Sequence, residues 1–429
     1  MYQSLRGKKL LVIGSSEVDA SIVSSAHDLG VYVICTDGLP KSAGTFAKNI
    51  ADESWDIDYS HTEEIGERCL KAHVDGVLAG YSEFRVSAAC KIARYIGTPF
   101  YATEEQIELT RNKQLFKNTC RKYGVSVPAD YSANVTAEGE AQAPIRYPVI
   151  VKPTDSAGRK GVTVCDNPVQ LKEAVKRAIR YSASSTFIVE EYIEGMEFVA
   201  VYTIKDGKYS LSCFNEKYLN QECKSSGLCD LALTPSKHMK LYLERTDSGV
   251  RRFLKGIGAQ NGVAFFQGIA ARDDCYVFEM GYRLNGGNDY FIAERENGIS
   301  YLKMLIAHSL TGVMEGNLEL DNPDFSRYYA NYLLYGHAGK IGTIRFFGDT
   351  EHSGLEDIHI KKAPGMMIQE DSSKQQCVFT FKLSSESVNG IAELVKYCQQ
   401  HAELKNENGE NMLFQDFDTS VLLKKQGGQ

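Results

Sequence analysis

Lys152 is the first residue whose position in the sequence indicates chemistry. It follows an apolar run, residues 147–151, that is typical of a buried strand, and Pro153 ends that run. An ammonium group on an otherwise apolar strand needs an anion, because burying an unpaired charge is costly. We therefore expect Lys152 to meet an anion at the tip of its strand.

The loop after Lys152 combines small residues with cations and reads Thr154-Asp155-Ser156-Ala157-Gly158-Arg159-Lys160-Gly161. Its backbone N–H groups are suited to cradling a triphosphate, and Arg159 or Lys160 would add charge. It is not a P-loop, since no Gly-Lys-Ser/Thr follows and the next element is a strand. Taken alone, the loop fits a plain β-hairpin turn equally well.

A third candidate is an acidic hinge after the apolar run Phe187-Ile-Val. It reads Glu190-Glu191-Tyr192-Ile193-Glu194-Gly195-Met196-Glu197. Such a hinge can offer backbone N–H and C=O groups to the edge of an adenine, while Tyr192 and Ile193 line an apolar slot. Glu197 would then reach the ribose hydroxyls. The alternative interpretation is a surface turn rich in glutamate.

Two apolar runs around the polar turn Ala271–Asp274 predict a β-hairpin. Gln267 and Glu279 each lie six residues from Asp273, so a turn centred there places them directly opposite one another on one face. Two such oxygen ligands suit a hard cation that carries nucleotide phosphates. A buried Gln–Glu hydrogen bond is the alternative. Arg283 follows and would add a planar anion clamp beside the metal.

Taken together, these features resemble the ATP-grasp superfamily, in particular its biotin carboxylase-like and carbamoyl-phosphate synthetase-like three-domain branch. The resemblance rests on the order and spacing of Lys113 in Arg111-Asn112-Lys113, Lys152, the small-residue loop, the Glu190–Ile193 hinge, Glu197, Gln267, Glu279 and Arg283. It covers the whole chain and is specific as an ensemble, whereas no single piece would suffice.

The resemblance implies an ATP site with Mg²⁺ as its metal and Mn²⁺ as an alternative ion. The expected nucleotide-binding residues are Lys113, Lys152, Ser156, Gly158, Lys160, Gly161, Glu190, Glu191, Tyr192, Ile193, Glu197 and Lys217. Within this set, the three lysines Lys113, Lys152 and Lys217 contact phosphates. The backbone of Glu191 and Ile193 reads adenine, and Glu197 holds the ribose. The expected metal ligands are Gln267 and Glu279, and the expected catalytic residues are Arg283 and Lys152.

Two positions depart from the family pattern. Position 267 is Gln where many members have Glu, although carbamoyl-phosphate synthetases also use Gln there. Members usually read Glu-x-Asn-x-Arg, whereas this chain has Glu279-Met-Gly281-Tyr-Arg283. The metal therefore loses an amide ligand, so a second Mg²⁺ would be weak or completed by water.

The family reaction is phosphorylation of a carboxylate by Mg·ATP, followed by attack of an amine or thiol on the acyl phosphate. Biotin carboxylases carry Val-Glu-His after the Arg, and glycinamide ribonucleotide synthetases carry Phe-Gly-Asp-Pro; here residues 284–289 read Leu-Asn-Gly-Gly-Asn-Asp. We therefore expect a carboxylate–amine ligase with small-molecule carboxylate and amine substrates, and the resemblance allows a homodimer. The alternatives are a carboxylase or purine-pathway synthetase, and a non-catalytic ATP-binding protein.

The elements that must position these residues form an α/β pattern. The first hundred residues alternate four strands (9–13, 31–35, 76–79 and 99–101) with helices at 20–29 and 83–96, which predicts a doubly wound parallel sheet. Its first turn, Gly14-Ser-Ser-Glu17, lacks the GxGxxG spacing of a dinucleotide site, and Asp37 alone does not restore one.

The rest of the chain predicts two further domains. Helices are expected at 103–123, with Thr103 and Gln106 as a capping box, and at 236–258 and 299–310. Segment 145–290 is otherwise rich in strands. Strands at 341–347 and 377–383 and a helix at 387–400 follow. The expected domains are a Rossmann-like pre-ATP-grasp domain (1–112), an ATP-grasp domain (113–312) and a small β-rich C-terminal domain (313–429).

Composition excludes several classes of protein. The chain has 429 residues, 24% of them charged, and a net charge of −7, which indicates a folded protein of more than one domain. Without a long basic run we expect no nucleic-acid binding, and without an apolar stretch of roughly 18 residues we expect no membrane span. A polar N-terminus and eleven scattered cysteines without CxxC spacing favour a cytoplasmic protein with reduced thiols.

Overall fold

The computed structural model describes residues 5–43, 45–156, 160–221, 227–287, 289–369 and 374–423. Gly158 and Arg159, from the predicted phosphate loop, lie outside the described residues. The candidate roles given to Gly158 and Arg159 therefore remain sequence-based predictions.

The N-terminal region is the predicted doubly wound parallel sheet, with strand order β3-β2-β1-β4. Its elements are β1 (Lys9–Ile13), α1 (Glu17–Asp28), β2 (Tyr32–Thr36), α2 (Phe46–Ile50), β3 (Glu53–Trp55), α3 (Thr62–Ala72), β4 (Gly76–Leu78) and α4 (Glu83–Ile96). The strand predicted at 99–101 is wrong. Pro99 has no N–H to donate to a ladder, and β3, which the sequence did not single out, supplies the fourth strand instead.

The single helix predicted at 103–123 is two helices, α5 (Glu104–Arg111) and α6 (Lys113–Lys122). The capping box of Thr103 and Gln106 is confirmed. Asn112 breaks the run because its side-chain oxygen accepts from the N–H groups of Gln114 and Leu115, which starts a new helix. This cap matters for the site, since it fixes the first turn of α6, where Lys113 lies.

A small antiparallel sheet, ordered β6-β5-β7, and one helix follow. The elements are β5 (Val149–Pro153), β6 (Thr163–Cys165), α7 (Pro168–Tyr181) and β7 (Phe187–Glu191). Pro153 still belongs to β5, opposite Phe187, so the strand ends one residue later than expected. Val149, Val151 and Val189 pack with Leu171 and Val175 of α7, so Ile150 and Lys152 project from the other face of β5.

The largest sheet has eight strands, in the order β12-β11-β8-β9-β10-β13-β17-β15. The parts that precede residue 312 are β8 (Met196–Lys205), β9 (Lys208–Leu219), β10 (Cys229–Thr234), α8 (Met239–Arg245), α9 (Asp247–Gly256), β11 (Gly262–Ala270), β12 (Cys275–Gly281), α10 (Tyr290–Asn297) and α11 (Tyr301–Thr311). The helix predicted at 236–258 is two helices that meet at Thr246, whose backbone is non-helical (φ −121°) and whose hydroxyl donates to the carbonyl of Cys275. Helices α8 and α9 cover one sheet face, where Tyr242 and Phe253 contact Phe198 and Phe266.

The C-terminal part adds β13 (Tyr328–Tyr335), β14 (Gly339–Phe346), β15 (Leu355–Ile360), β16 (Met367–Ile368), β17 (Cys377–Ser385), α12 (Val388–His401), β18 (Ala402–Asn406) and α13 (Ser420–Leu423). Strands β13, β17 and β15 extend the large sheet, and β16, β14 and β18 form a separate one. The expected fold class is confirmed. None of the helices in the described ranges has the length and apolar character needed to cross a bilayer.

Candidate functional site

The hairpin β11–β12 brings Gln267 and Glu279 directly opposite one another, as the sequence predicted. The route to this register differs from the expectation. The turn closes with the N–H of Ala271 donating to Asp274 O at 2.9 Å, and Gly268 pairs with Val277. Phe278 is therefore the extra residue of a bulge, which returns Glu279 to the row of Gln267.

One face of the large sheet collects the polar candidates. Gln267 pairs with Val199 on β8, Glu197 pairs with Ile269 on β11, and Glu197 also pairs with Lys217 on β9. Because cross-strand partners share a face and residues two apart along a strand do too, Glu279, Gln267, Glu197 and Lys217 project to the same side. This is the side opposite the covering helices α8 and α9. The sheet register therefore unites the expected metal ligands with the expected ribose and phosphate contacts.

Lys152 shares a buried carboxylate with a lysine that the sequence analysis missed. The ammonium of Lys152 donates to Glu190 Oε2 at 3.1 Å, and Lys117 of α6 donates to Glu190 Oε1. Burial raises the pKa of Glu190, but Lys152 and Lys117 outweigh that effect and hold the carboxyl pKa below its usual value. Burial and the neighbouring Lys152 lower the pKa of Lys117 to about 8. In the structure the side chain of Glu190 pairs with these two lysines, whereas the role predicted for Glu190 was nucleotide binding.

The described ends of the small-residue loop are anchored on two sides. Lys113 donates to the carbonyl of Ser156 at 2.9 Å. Asp155 accepts from the hydroxyl of Ser182 at 2.7 Å and from the N–H of Ser184 at 2.9 Å. At the far end, Gly161 has φ +78°, and a Cβ there would lie 2.8 Å from Pro153 and from Tyr181. Gly161 is therefore required by the fold, and Lys160 beside it is exposed.

The acidic hinge begins with the last two residues of β7, Glu190 and Glu191. The N–H of Glu191 donates to Ala129 O at 2.9 Å, and the N–H of Tyr192 donates to Pro148 O at 3.2 Å. The Tyr192 side chain is exposed, whereas Ile193 is half-buried. Two of the N–H groups in the hinge are thus used within the protein.

Arg283 is held by a residue of the N-terminal region. Its Nε and Nη2 donate to Glu83 Oε1 at 2.8 and 2.5 Å, and its Nη1 donates to the carbonyl of Leu284 at 2.7 Å. The guanidinium also lies over the ring of Phe265, 4.9 Å from its centroid. Glu83 begins helix α4, so this ion pair joins the N-terminal region to the segment that follows the hairpin β11–β12.

Gly281, the departure from the family pattern, has a structural cause in this chain. It pairs with Phe265 across the hairpin. A Cβ at Gly281 would lie 2.5 Å from Cε1 of Phe265 and 3.3 Å from Cγ of Arg283. The aromatic ring under Arg283 therefore occupies the space that a side chain at position 281 would need.

A buried carboxylate lies behind Lys217. Asp289, 1% exposed, accepts from Asn215 Nδ2 at 3.1 Å and from Asn285 Nδ2 at 2.6 Å. Burial raises the pKa of Asp289, and its amide partners and the charge of Lys217 offset part of that rise. The cluster connects β9, which carries Lys217, to the segment that follows Arg283.

The structure brings most of the candidates together. Lys113, Ser156 and Glu279 line one cleft, together with Glu83, and Lys152 lies over the ring of Phe278, 5.3 Å from its centroid. Lys117 and Glu83 were missed because their partners are 73 and 200 residues away in the sequence. The helical spacing of Lys113 and Lys117 was a usable signal for the first of them.

The α/β fold thus forms a cleft from helices α4 to α6, the loop that follows β5 and strand β12, an arrangement that fits a nucleotide-binding class of protein. Residues 145–286 match the ATP-grasp domain family. This segment is therefore an ATP-grasp domain, as the resemblance in the sequence led us to expect.

Individual relatives are distant. The chain is 24% identical over 265 residues to a formate-dependent phosphoribosylglycinamide formyltransferase of Prochlorococcus marinus, a match that covers 60% of this chain and 66% of that protein. It is 22% identical over 293 residues to a phosphoribosylamine–glycine ligase of Fusobacterium nucleatum, covering 64% and 67%. The chain thus spans about two thirds of the length of these curated relatives.

A solved structure shares the fold over nearly the whole chain. The L-amino acid ligase of Bacillus licheniformis superposes with a TM-score of 0.79 at 17% identity, covering 94% of this chain and 99% of that one. At this identity the similarity shows a common fold, including the C-terminal part.

Proposed function

We propose that the chain is an ADP-forming carboxylate–amine ligase that activates a carboxylate as an acyl phosphate. The observation that carries the proposal is the register of the large sheet, which sets Glu279, Gln267, Glu197 and Lys217 on one face beside Lys152 and Lys113. Oxygen ligands and cations on one surface are what a metal–nucleotide complex requires.

The proposed ATP site divides into three parts. Lys113, Lys152 and Lys217 bind phosphates, with Ser156, Gly158, Lys160 and Gly161 forming the loop over them. Glu197 holds the ribose. Tyr192 and Ile193 line the adenine slot, where Ile193 offers its N–H. Because the Glu191 N–H is used by Ala129, Glu191 contributes its carbonyl.

Gln267 and Glu279 fit a hard divalent cation. One carboxylate and one amide oxygen face each other across a hairpin, and phosphate oxygens of ATP would complete the shell. Among the described residues, no three His, Cys, Asp or Glu side chains form a separate metal cluster. When bound, Mg²⁺ or Mn²⁺ would neutralise charge on the transferring phosphoryl group.

The reaction proposed for the small-molecule substrates needs no protein nucleophile. A carboxylate oxygen attacks the γ-phosphorus of ATP and ADP leaves. The amine nitrogen then attacks the acyl carbon, phosphate leaves and the nitrogen loses a proton. Arg283, fixed by Glu83 and Phe265, stabilises negative charge on the acyl phosphate, and Lys152 stabilises charge on the nucleotide phosphates. Excluding water protects the acyl phosphate from hydrolysis.

A second candidate is a ligase or transferase acting on a phosphoribosyl-amine compound. The names of the two curated relatives favour it. The fold shared with an L-amino acid ligase over nearly the whole chain favours amino acids as the acid or the amine.

The experiment that tests the proposal is release of phosphate from Mg·ATP across a matrix of L-amino acids and small acids against amines, with phosphoribosylamine and glycine as one pair. We expect one acid–amine pair to give stoichiometric ADP and amide. Lys152→Ala should abolish the signal, and Glu173→Gln, on the exposed face of α7, should retain it. Tight ATP binding with no ADP from any pair would support a non-catalytic ATP-binding protein instead.

A further inference from the structure

Lys117 is a buried lysine close to the proposed ATP site, where it shares the carboxylate of Glu190 with Lys152. Its side chain is 2% exposed and that of Glu190 is 1% exposed, whereas Lys152 keeps 12% exposure. Lys117 lies on α6, Glu190 on β7 and Lys152 on β5. One carboxylate therefore joins two ammonium groups, of which Lys152 is the more accessible to a ligand.

The charges of this triad have a consequence for Lys152. A buried carboxylate cannot be left unpaired without a large cost. If Lys152 were the sole partner of Glu190, turning its ammonium to a phosphate would strand the carboxylate. Lys117 removes that cost, because it donates to the other carboxylate oxygen, Oε1. It also repels Lys152.

We propose that Lys117 is a positioning residue that keeps Glu190 paired and so leaves Lys152 available to the phosphates of ATP. This role rests on the proposed function, since it presumes that ATP binds at Lys152. Lys117 itself does not touch the nucleotide.

Lys48 provides a matched control. It is another buried lysine, 0% exposed, and its ammonium donates to Asp37 O and to Asp56 Oδ1, both at 2.7 Å. It belongs to the N-terminal region and has no contact with Glu190. Lys48→Met should lower the melting temperature without changing the affinity for ATP.

The test is calorimetric titration of Mg·ATP into the full chain as wild type, Lys117→Met, Glu190→Gln and the double variant. We expect Lys117→Met alone to weaken ATP binding about tenfold or more, because Glu190 then retains Lys152. In the Glu190→Gln background, the same change should alter the Kd by less than about threefold, because no carboxylate remains to hold Lys152.

Each result decides the proposal. An equal loss of affinity in both backgrounds, or unchanged affinity in Lys117→Met, would overturn it and assign Lys117 to packing. Should Lys117→Met not fold, the double variant is compared with Glu190→Gln: equal affinity supports the role, and an affinity about tenfold weaker overturns it. A wild-type chain that does not bind Mg·ATP would contradict the proposed function itself.

Discussion

Two charged regions of the described chain, the carboxyl edge of the N-terminal parallel sheet and the cleft of the ATP-grasp domain, differ in how their charges are balanced. At the carboxyl edge of the N-terminal parallel sheet, Arg85 donates to Asp19 at 3.0 Å and to Asp37 at 3.1 Å. A Cβ at Gly14 would lie 2.5 Å from both Arg85 and Asp19. The place where such sheets bind ligands is thus filled by the chain's own ion pairs.

The cleft of the ATP-grasp domain is built differently. Lys113 donates to a neutral carbonyl, that of Ser156, and Lys152 shares its carboxylate with Lys117. Lys113 and Lys152 are thus not matched by one carboxylate each, unlike Arg283, which is paired with Glu83, so these two lysines retain an attraction for an anion. The balance of charge, more than the number of charged residues, therefore separates a structural cluster from a ligand site.

The largest expected effect concerns the metal ligands. Glu279→Gln keeps the shape of the hairpin but removes the carboxylate of the Gln267–Glu279 pair. We expect ADP formation to fall about 10²–10³-fold, since charge on the phosphoryl group loses its counterion. Thermal melting should match wild type. Near-normal turnover in a stable variant would show that Glu279 is not a metal ligand. An unfolded variant would favour the alternative, a structural hydrogen bond between Gln267 and Glu279.

Lys152→Ala tests the cationic character of the same cleft. Loss of a charge-assisted contact to phosphate should weaken ATP binding by about 1.5–3 kcal/mol. Calorimetry with Mg·ATP measures this directly. Unchanged affinity would mean that β5 does not face the nucleotide.

Arg85→Met applies the same kind of change to the ion pairs of Arg85 with Asp19 and Asp37 in the N-terminal region. Asp19 is 1% exposed and burial already raises its pKa, so losing Arg85 should cost about 2 kcal/mol of stability at neutral pH. As the pH falls through the raised pKa of Asp19, its carboxyl group becomes protonated and no longer needs Arg85 as a partner. The loss of stability caused by Arg85→Met should therefore become smaller at low pH. ATP affinity should not change. Weakened ATP binding with an unchanged urea midpoint would show that Arg85 contributes to a ligand site and is not part of a purely structural cluster.

The smallest effect is expected at Gly281. Gly281→Ala places a methyl group against the ring of Phe265 and should cost about 1 kcal/mol in stability. Combining it with Phe265→Leu should recover part of the loss. Differential scanning calorimetry of the two variants checks this, and full stability of Gly281→Ala would show that Phe265 does not exclude a side chain there.

The sequence predicted elements whose cause is local and failed where distant partners decide. The capping box at Thr103 and the hairpin pair Gln267–Glu279 depend on neighbouring residues, and both are confirmed. The break at Asn112 has a local cause too, but it was missed, like the break at Thr246, because hydrophobic periodicity continues through both residues. Glu83 was missed because its partner Arg283 lies 200 residues away in another expected domain, and Lys117 because its partner Glu190 lies 73 residues away.

The limits of the domains themselves stay a proposal, since the sheet runs through one of them. Strand β10 pairs with β13 across the expected division at 312/313. Asn331 of β13 also donates to the carbonyl of Gly287 at 2.7 Å, four residues beyond Arg283.

That continuous sheet has a consequence for anyone who shortens the chain. Cutting after residue 312 would remove β13, the hydrogen-bonding partner of β10. Strand β10 would then be an edge strand with unpaired N–H and C=O groups, directly next to β9, which carries Lys217. Such an edge invites pairing with other chains, so an isolated segment 113–312 should aggregate rather than bind ATP. The C-terminal part is therefore needed to complete the sheet that carries the proposed nucleotide-binding residues.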